Sequence, residues 1–132
     1  MRMEIQLLIH ATEDENKVVS SLRKIVYFDE KEIQRYDLTG HYKNPIKMYK
    51  ITIKENTRVL DIIKKILAML TEADKTLLTQ YLDEYIYRNK LFLRLDKPSL
   101  CKGKVTLGET DPIRIVVSGV RKEALLKLIK GG

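Results

Sequence analysis

The segment from Gly40 to Pro45 concentrates side chains whose chemistry suits nucleic acid. A glycine and a proline bracket it, which indicates a turn. Its rings can stack on bases, its lysine can pair with a phosphate, and its amide can hydrogen-bond a base edge or a 2′-hydroxyl. A tight turn whose rings pack back on the fold is the alternative. The candidate binding residues of this segment are His41, Tyr42, Lys43 and Asn44.

A second group of candidates lies where polar and apolar residues alternate, in residues 2–11, 89–96 and 112–119. Successive side chains of a strand point to opposite faces, so the polar residues of each stretch share one face. If these strands are neighbours and helices cover the other side, the open face becomes cationic and carries one aromatic ring. Ordinary solvent-facing strand residues are the alternative. The residues expected on the open face are Arg2, Lys90, Phe92, Arg94 and Arg114.

The excess positive charge lies in the last third of the chain. Residues 1–86 carry 14 Lys and Arg against 14 Asp and Glu, whereas residues 87–132 carry 11 against 4, which accounts for the net charge of +7. Such one-sidedness favours a polyanionic partner, although a solvated basic face is the commoner reason for a run of lysines. Further basic candidates for binding are Lys97, Lys102 and Lys104.

The length of 132 residues, 44% of them hydrophobic, is typical of one domain that buries its own core. We expect a single α+β domain over residues 1–120 and a basic C-terminal helix or tail over 121–132. The sequence shows neither a signal peptide nor an apolar run approaching the ~20 residues of a membrane span. A cytoplasmic location is therefore expected. The single Cys101 cannot form an internal disulfide, which fits a reducing compartment.

The hydrophobic periods predict the order β-α-β-β-α-α-β-β followed by a C-terminal helix. We expect a mixed or antiparallel sheet with helices packed on one face. The predicted strands are residues 2–11, 31–38, 46–54, 89–96 and 112–119, with a possible short strand at 102–107. One helix is predicted to begin at Thr12. The other predicted helices cover residues 57–70, 72–86 and 121–130.

Three local predictions can be tested against the structure. Thr12 and Glu15 form a capping-box pattern, and Thr71 followed by Asp74 indicates a second helix start. The apolar parity changes within residues 46–54, which indicates either a β-bulge or a strand buried on both faces. The inward face expected for helix 72–86 consists of Leu77, Leu78, Tyr81, Leu82 and Tyr85.

The sequence offers little support for catalysis. His10 and His41 are the chain's two histidines and lie in different predicted elements, and Cys101 has no neighbouring base in sequence. Phosphate-cradling glycine loops and zinc-ligand spacings are missing from the sequence. We therefore expect a protein that is not an enzyme and that requires neither a metal nor a cofactor.

Three segments occur in the same order in one known family: residues 9–15 (Ile-His-Ala-Thr-Glu-Asp-Glu), 40–46 (Gly-His-Tyr-Lys-Asn-Pro-Ile) and 93–97 (Leu-Arg-Leu-Asp-Lys). Through them the chain resembles the archaeal RNA-binding family labelled as predicted exosome subunits. The resemblance covers about residues 3–120. It implies a fold similar to the double-stranded-RNA-binding domain or to ribosomal protein L5, and a setting in RNA processing, beside the exosome or the ribosome.

The chain departs from the family pattern at two positions. Lys43 stands where the family commonly has glycine, so it either adds a phosphate contact or alters the turn. Pro98 stands where glutamine often follows Lys97, and proline removes a backbone donor. This second departure puts a base-reading role for residue 98 in doubt.

Together these observations predict non-catalytic binding of structured RNA, double-stranded or ribosomal, through a basic surface. The alternative is a protein-interaction subunit whose basic face and C-terminal helix dock on an acidic partner. The sequence leaves the oligomeric state open.

Overall fold

The protein forms a six-stranded antiparallel sheet with helices against one of its faces. The computed structural model describes residues 1–40 and 43–131. The strands are β1 (Arg2–His10), β2 (Ile33–Thr39), β3 (Pro45–Ile53), β4 (Ile86–Tyr87), β5 (Lys90–Leu95) and β6 (Ile113–Ser118). The helices are α1 (Glu15–Arg23), α2 (Asn56–Met69), α3 (Glu72–Gln80), α4 (Leu82–Tyr85), α5 (Lys97–Cys101) and α6 (Lys122–Gly131), and a 3-10 helix (Glu30–Glu32) precedes β2. The prediction of an α+β fold is confirmed.

The strand order is β2-β3-β1-β6-β5-β4. Strand β1 lies inside the sheet, with Ile5 opposite Ile51 of β3 and opposite Ile115 of β6. Strand β5 adjoins β6, so the strands at residues 2–10, 90–95 and 113–118 are neighbours. This adjacency is the condition on which the predicted open face depended.

The two faces of the sheet differ sharply in burial. Along β1, Met3, Ile5, Leu7 and Ile9 are at most 3% exposed, whereas the alternate residues are half-buried or exposed. The buried face joins the apolar sides of the helices in one hydrophobic core. The opposite face, which we call the open face, carries the polar residues of the alternating stretches.

The change of parity in β3 does not come from a bulge. Its pairing with β1 is continuous from Met3 opposite Ile53 to His10 opposite Ile46. Tyr49 therefore lies on the covered face while Ile46 and Met48 lie half-buried on the open face. The bulge is therefore wrong, and the second alternative holds only in part, because the open face of β3 is half-buried and not buried.

The predicted cap of α1 at Thr12 is wrong. The N-cap is Asp14, whose carboxylate accepts a hydrogen bond from the Lys17 amide at 3.2 Å. Glu15 instead accepts from Lys47 Nζ at 2.9 Å and ties α1 to β3. The carboxylate two residues after Thr12 is therefore the group that caps the helix.

The predicted cap of α3 is confirmed, because Thr71 Oγ1 accepts from the Asp74 amide at 3.1 Å. The expected helix 72–86 is divided into α3, α4 and the short strand β4. Leu78 and Leu82 are buried as expected, but Leu77 and Tyr81 are 41% and 49% exposed. Because α3 ends at Gln80, the apolar stripe predicted for one continuous helix does not form.

A short helix, α5, precedes residues 102–107, where a short strand was expected and only isolated bridges are found. Asp96 caps α5 by accepting from the Ser99 amide at 3.0 Å, and Pro98 lies in its first turn. Proline is well tolerated there because the amide it lacks has no intrahelical partner. Isolated bridges pair Val105 with Leu70 and Leu107 with Leu95.

Helix α6 packs against α2 and α3. Its buried residues Leu125 and Ile129 belong to the same hydrophobic core as the sheet. Among the described residues, each helix is too short or too polar to cross a membrane.

Candidate nucleic-acid interface

A row of cationic and amide side chains crosses the open face. Lys50 of β3 is opposite Gln6 of β1, Gln6 is opposite Arg114 of β6, and Arg114 is opposite Arg94 of β5. With neighbouring strands about 4.8 Å apart, the row extends about 14 Å from Lys50 to Arg94. Both arginines are exposed. We call these four residues the cationic row.

Arg94 and Arg114 are direct cross-strand partners with like charge. Like charges directly opposite each other repel, so such a pair destabilises a sheet. Arg94 Nη1 contacts Glu109 Oε2 at 3.0 Å, an ion pair that is exposed on both sides. Arg114 makes no ion pair among the described residues. An external anion would complete this pair of guanidinium groups.

A second row lies next to the cationic row and contains the aromatic residue. Thr52, Glu4, Val116 and Phe92 are consecutive partners across β3, β1, β6 and β5. The ring of Phe92 is 40% exposed. It lines a concavity of about 480 Å³ together with Glu4, Gln6, Lys50, Arg94 and Arg114. We call this concavity the Phe92 pocket.

A phenol lies in the depression next to the Phe92 pocket. Tyr85 lines the adjoining depression with Phe92, Arg94 and Glu109. Burial raises the pKa of Tyr85, and the carboxylates of Glu109, Asp74 and Glu84 raise it further. The hydroxyl therefore keeps its proton at neutral pH and remains a hydrogen-bond donor.

A basic concavity of about 420 Å³ adjoins the Phe92 pocket, with which it shares Lys50. Its other cations are Arg2, Lys31 and Lys54. Arg2 was predicted on this face, but Lys31, Lys50 and Lys54 were missed because the open face was predicted from residues 2–11, 89–96 and 112–119 alone. The alternation within residues 46–54 was the available signal, since it places Lys50 on the face of the strand that points away from Tyr49 and Ile51.

The predicted role of Lys97 is corrected by the structure. The residue is 4% exposed, and its Nζ lies 2.7 Å from Asp111 Oδ2 and 3.0 Å from Glu13 Oε1. Nζ also donates to the Leu8 carbonyl at 2.6 Å. Lys97 is thus an internal tie between β1, α5 and the segment before β6, and it is not accessible to a phosphate.

His10, Glu13 and Asp111 lie close enough together to suggest a metal site. His10 Nε2 is 3.0 Å from Asp111 Oδ2. The Lys97 ammonium, however, already supplies positive charge to both carboxylates. These residues therefore form an ion-pair network whose chemistry does not call for a metal.

The predicted loop is only partly within the described residues. His41 and Tyr42 lie outside them. Lys43 and Asn44 are exposed, and Lys43 has φ 61°, in the left-handed region that glycine adopts without steric cost. This backbone conformation explains why glycine suits the position equivalent to 43 in the archaeal family that the chain resembles.

Lys102 and Lys104 are exposed but lie apart from the cationic row. They follow α5, which packs against α1 in the helical layer. Cys101, at the end of the same helix, is half-buried. The open face therefore brings together Arg94 and Arg114 of the predicted binding residues, with Arg2, Lys90 and Phe92 beside them.

The chain is similar to several archaeal proteins. A Pyrococcus abyssi protein named as an RNA-binding protein is 26% identical over 140 residues, covering 97% of this chain and 90% of its own. An uncharacterised protein of Methanocaldococcus jannaschii is 27% identical over 117 residues, covering 84% of this chain and 78% of its own.

Solved structures share the fold over nearly the whole length. A crystal structure of a Sulfolobus solfataricus protein has a TM-score of 0.81 at 25% identity, covering 99% of this chain and 98% of that one. A protein of Methanothermobacter thermautotrophicus has a TM-score of 0.75 at 21% identity, with 97% and 96% covered. The model of a family described as RNA binding matches residues 2–118, so this 132-residue chain belongs to that family.

Proposed function

We propose that the protein binds structured RNA through the open face of its sheet, without catalysing a reaction. The observation that carries this proposal is the cationic row, in which Arg114 and Arg94 face each other and Lys50 extends the charge to β3. Membership of a family described as RNA binding, and the name of the Pyrococcus abyssi relative, support the same partner.

The binding chemistry follows from the side chains on this face. Guanidinium groups present a planar fork that matches two phosphate oxygens, which suits Arg94 and Arg114 to the RNA backbone. Arg2, Lys50 and Lys54 around the basic concavity extend the contact along the sheet. Affinity should be strongly salt-dependent, because each phosphate contact releases condensed counterions.

The cellular setting belongs to the proposal as well. The resemblance to the archaeal family supports RNA processing beside the exosome or the ribosome, and the single cysteine fits a cytoplasmic location. Duplex and ribosomal RNA are the substrates to test first, because a rigid sheet face recognises the shape and backbone of folded RNA.

The test measures affinity for duplex, single-stranded and folded RNA between about 50 and about 200 mM salt, with duplex DNA as a control. Arg114→Ala should weaken RNA binding and lower the slope of log affinity against log salt by about one unit. Lys64→Ala removes the same charge from an exposed position on α2 and should leave both quantities unchanged. Equal effects of the two variants would contradict a specific interface.

A protein-interaction subunit remains the second candidate function. The exposed side chains of Tyr36 and Leu38 on edge strand β2 favour it, since edge strands readily pair with other chains. Docking through α6 has less support, because Leu125 and Ile129 already pack in the core. Normal RNA binding by Tyr36→Ser together with loss of a co-purifying protein would favour this second function.

A further inference from the structure

The ring of Phe92 is not needed to fill the hydrophobic core. Its strand neighbours Leu91 and Leu93 are 1% and 2% exposed and belong to the core, whereas Phe92 is 40% exposed and does not. Because the ring is exposed and has charged neighbours, it adds little hydrophobic stabilisation to the fold. Its position therefore suits contact with an external ligand.

The surroundings of the ring match the parts of a nucleotide. Arg94 follows Phe92 by two positions and Lys90 precedes it by two, so both cations share its face of β5. Arg94 lines the pocket with Phe92, and so does the carboxylate Glu84. Val116 lies directly opposite and continues the apolar floor. A planar apolar group between two anionic groups would complement this arrangement.

Hydrogen-bonding groups stand at the side of the same pocket. Gln6 Nε2 contacts Met48 Sδ at 3.3 Å, a weak acceptor that leaves the amide free to rearrange. Glu4 accepts from Arg2 at 3.0 Å and can also accept from an exocyclic amine. These groups can reach the edge of a ring that lies against Phe92.

Resting on the proposed function, we propose that the Phe92 pocket takes one unpaired base of a folded RNA. The base stacks on Phe92, and Arg94 and Arg114 hold the adjoining phosphates. The volume of about 480 Å³ fits a small planar group, since ligand pockets commonly have about 300–1,000 Å³.

An uninterrupted duplex cannot satisfy this pocket. The bases of A-form RNA are stacked on one another, and the deep major groove excludes side chains. A bulged or loop nucleotide presents its face without breaking a pair. The preferred substrate is therefore a helix that contains an unpaired nucleotide.

The experiment compares two hairpins of about 16 base pairs that differ by a single bulged nucleotide. The intact protein should bind the bulged hairpin about tenfold more tightly, within the range measured for stacking of one base on an aromatic side chain. Phe92→Leu keeps an apolar side chain but removes the ring, and should abolish this preference while duplex affinity remains. Phe92→Trp should restore the preference.

A fluorescence readout reports stacking directly, because the chain has no tryptophan. The Trp of Phe92→Trp should be quenched by the bulged hairpin and much less by the duplex. Met69→Trp places the same probe at an exposed position on α2, in the helical layer, and should not distinguish the two RNAs.

The outcomes separate this inference from the proposed function. If Arg114→Ala leaves the binding of both hairpins unchanged, the open face is not the RNA interface and both proposals fail. If Arg114→Ala weakens both hairpins while Phe92→Leu leaves their affinity ratio at the intact value, the base pocket alone is overturned. Loss of the ratio in Phe92→Leu with its recovery in Phe92→Trp supports the pocket.

Discussion

Arg94 and Arg114 are direct cross-strand partners on the open face, and each carries a positive charge. Like charges placed opposite each other reduce the stability of a sheet. In the proposed interface an anion binds between the two guanidinium groups. The same pair therefore lowers the stability of the sheet and binds the anion. The pair can therefore be tested by stability and by affinity in the same variant.

Arg114→Ala should raise the free energy of unfolding by about 0.5 kcal/mol, since it removes the repulsion. The same variant should weaken RNA binding. Urea unfolding and a binding titration measure the two effects. A loss of stability above about 1 kcal/mol would instead mean that Arg114 supports the fold.

Lys97→Met should lower the free energy of unfolding by about 3 kcal/mol, because it leaves Glu13 and Asp111 without their buried partner. Lys102→Met, at an exposed position near the end of the same helix, serves as the matched control and should cost little. Both are measured by urea unfolding. A stable Lys97→Met protein with reduced RNA affinity would restore Lys97 as a phosphate ligand.

Stability should fall on acidification because of Glu32. Its carboxylate accepts from both Nη atoms of Arg58, at 2.7 and 2.9 Å, and these bonds are the main reason that its pKa lies below the ordinary 4.5. The folded state then holds its proton less tightly than the unfolded state does. This contribution is present above about pH 4.5 and is lost as pH falls through the lower folded value.

In Glu32→Gln, Tm should fall less steeply on acidification between about pH 7 and about pH 3. Glu123→Gln, at an exposed position on α6, provides the comparison and should retain the wild-type slope. Identical profiles for wild type and Glu32→Gln would exclude the Arg58 pair as the source.

Gly108→Ala should destabilise the fold by about 1–3 kcal/mol through overpacking. A Cβ at this position would lie 2.8 Å from the Asp96 Cα, and the Gly108 amide donates to the Arg94 carbonyl at 3.0 Å. Gly131→Ala meets no atom within 4 Å and should be nearly neutral. Thermal unfolding of both variants measures the difference. Equal Tm values would show that the segment around Gly108 accommodates a Cβ without loss of stability.

Lys43→Gly should leave stability unchanged or raise it by up to about 1 kcal/mol, because glycine relieves the left-handed backbone. Lys43→Ala removes the same charge but keeps a Cβ. If Lys43 contacts phosphate, both variants should lose RNA affinity equally in a titration. An affinity loss in the alanine variant alone would assign the effect to the turn.

The alternation of polar and apolar residues was sufficient to predict the open face. Lys90 and Arg94 could be assigned to it because a strand has a period of two residues, whatever its neighbours are. The cap at Thr71 was equally local, since a side chain needs only the amide three residues ahead. The first cap failed because α1 begins two residues later than predicted, and Asp14 accepts the amide hydrogen bond that was assigned to Thr12.

Burial of long charged side chains could not be predicted in the same way. Lys97 resembles a surface cation in the sequence, but its partners Glu13 and Asp111 lie on either side of it in the chain, in other segments of the fold. Only the folded chain brings both carboxylates to one ammonium group. Lys50 was missed because only the tertiary structure places β3 beside β1, where Lys50 joins the cationic row.

The sequence by itself determined the fold class, the face on which the residues of β1, β5 and β6 lie, and the charge available for binding. These properties depend on local periodicity and composition. The tertiary structure alone decided the strand order, and with it the meeting of Arg114 with Arg94, of Phe92 with Val116, and of Lys97 with its carboxylates. Strand order depends on how the whole core packs, so no single segment encodes it.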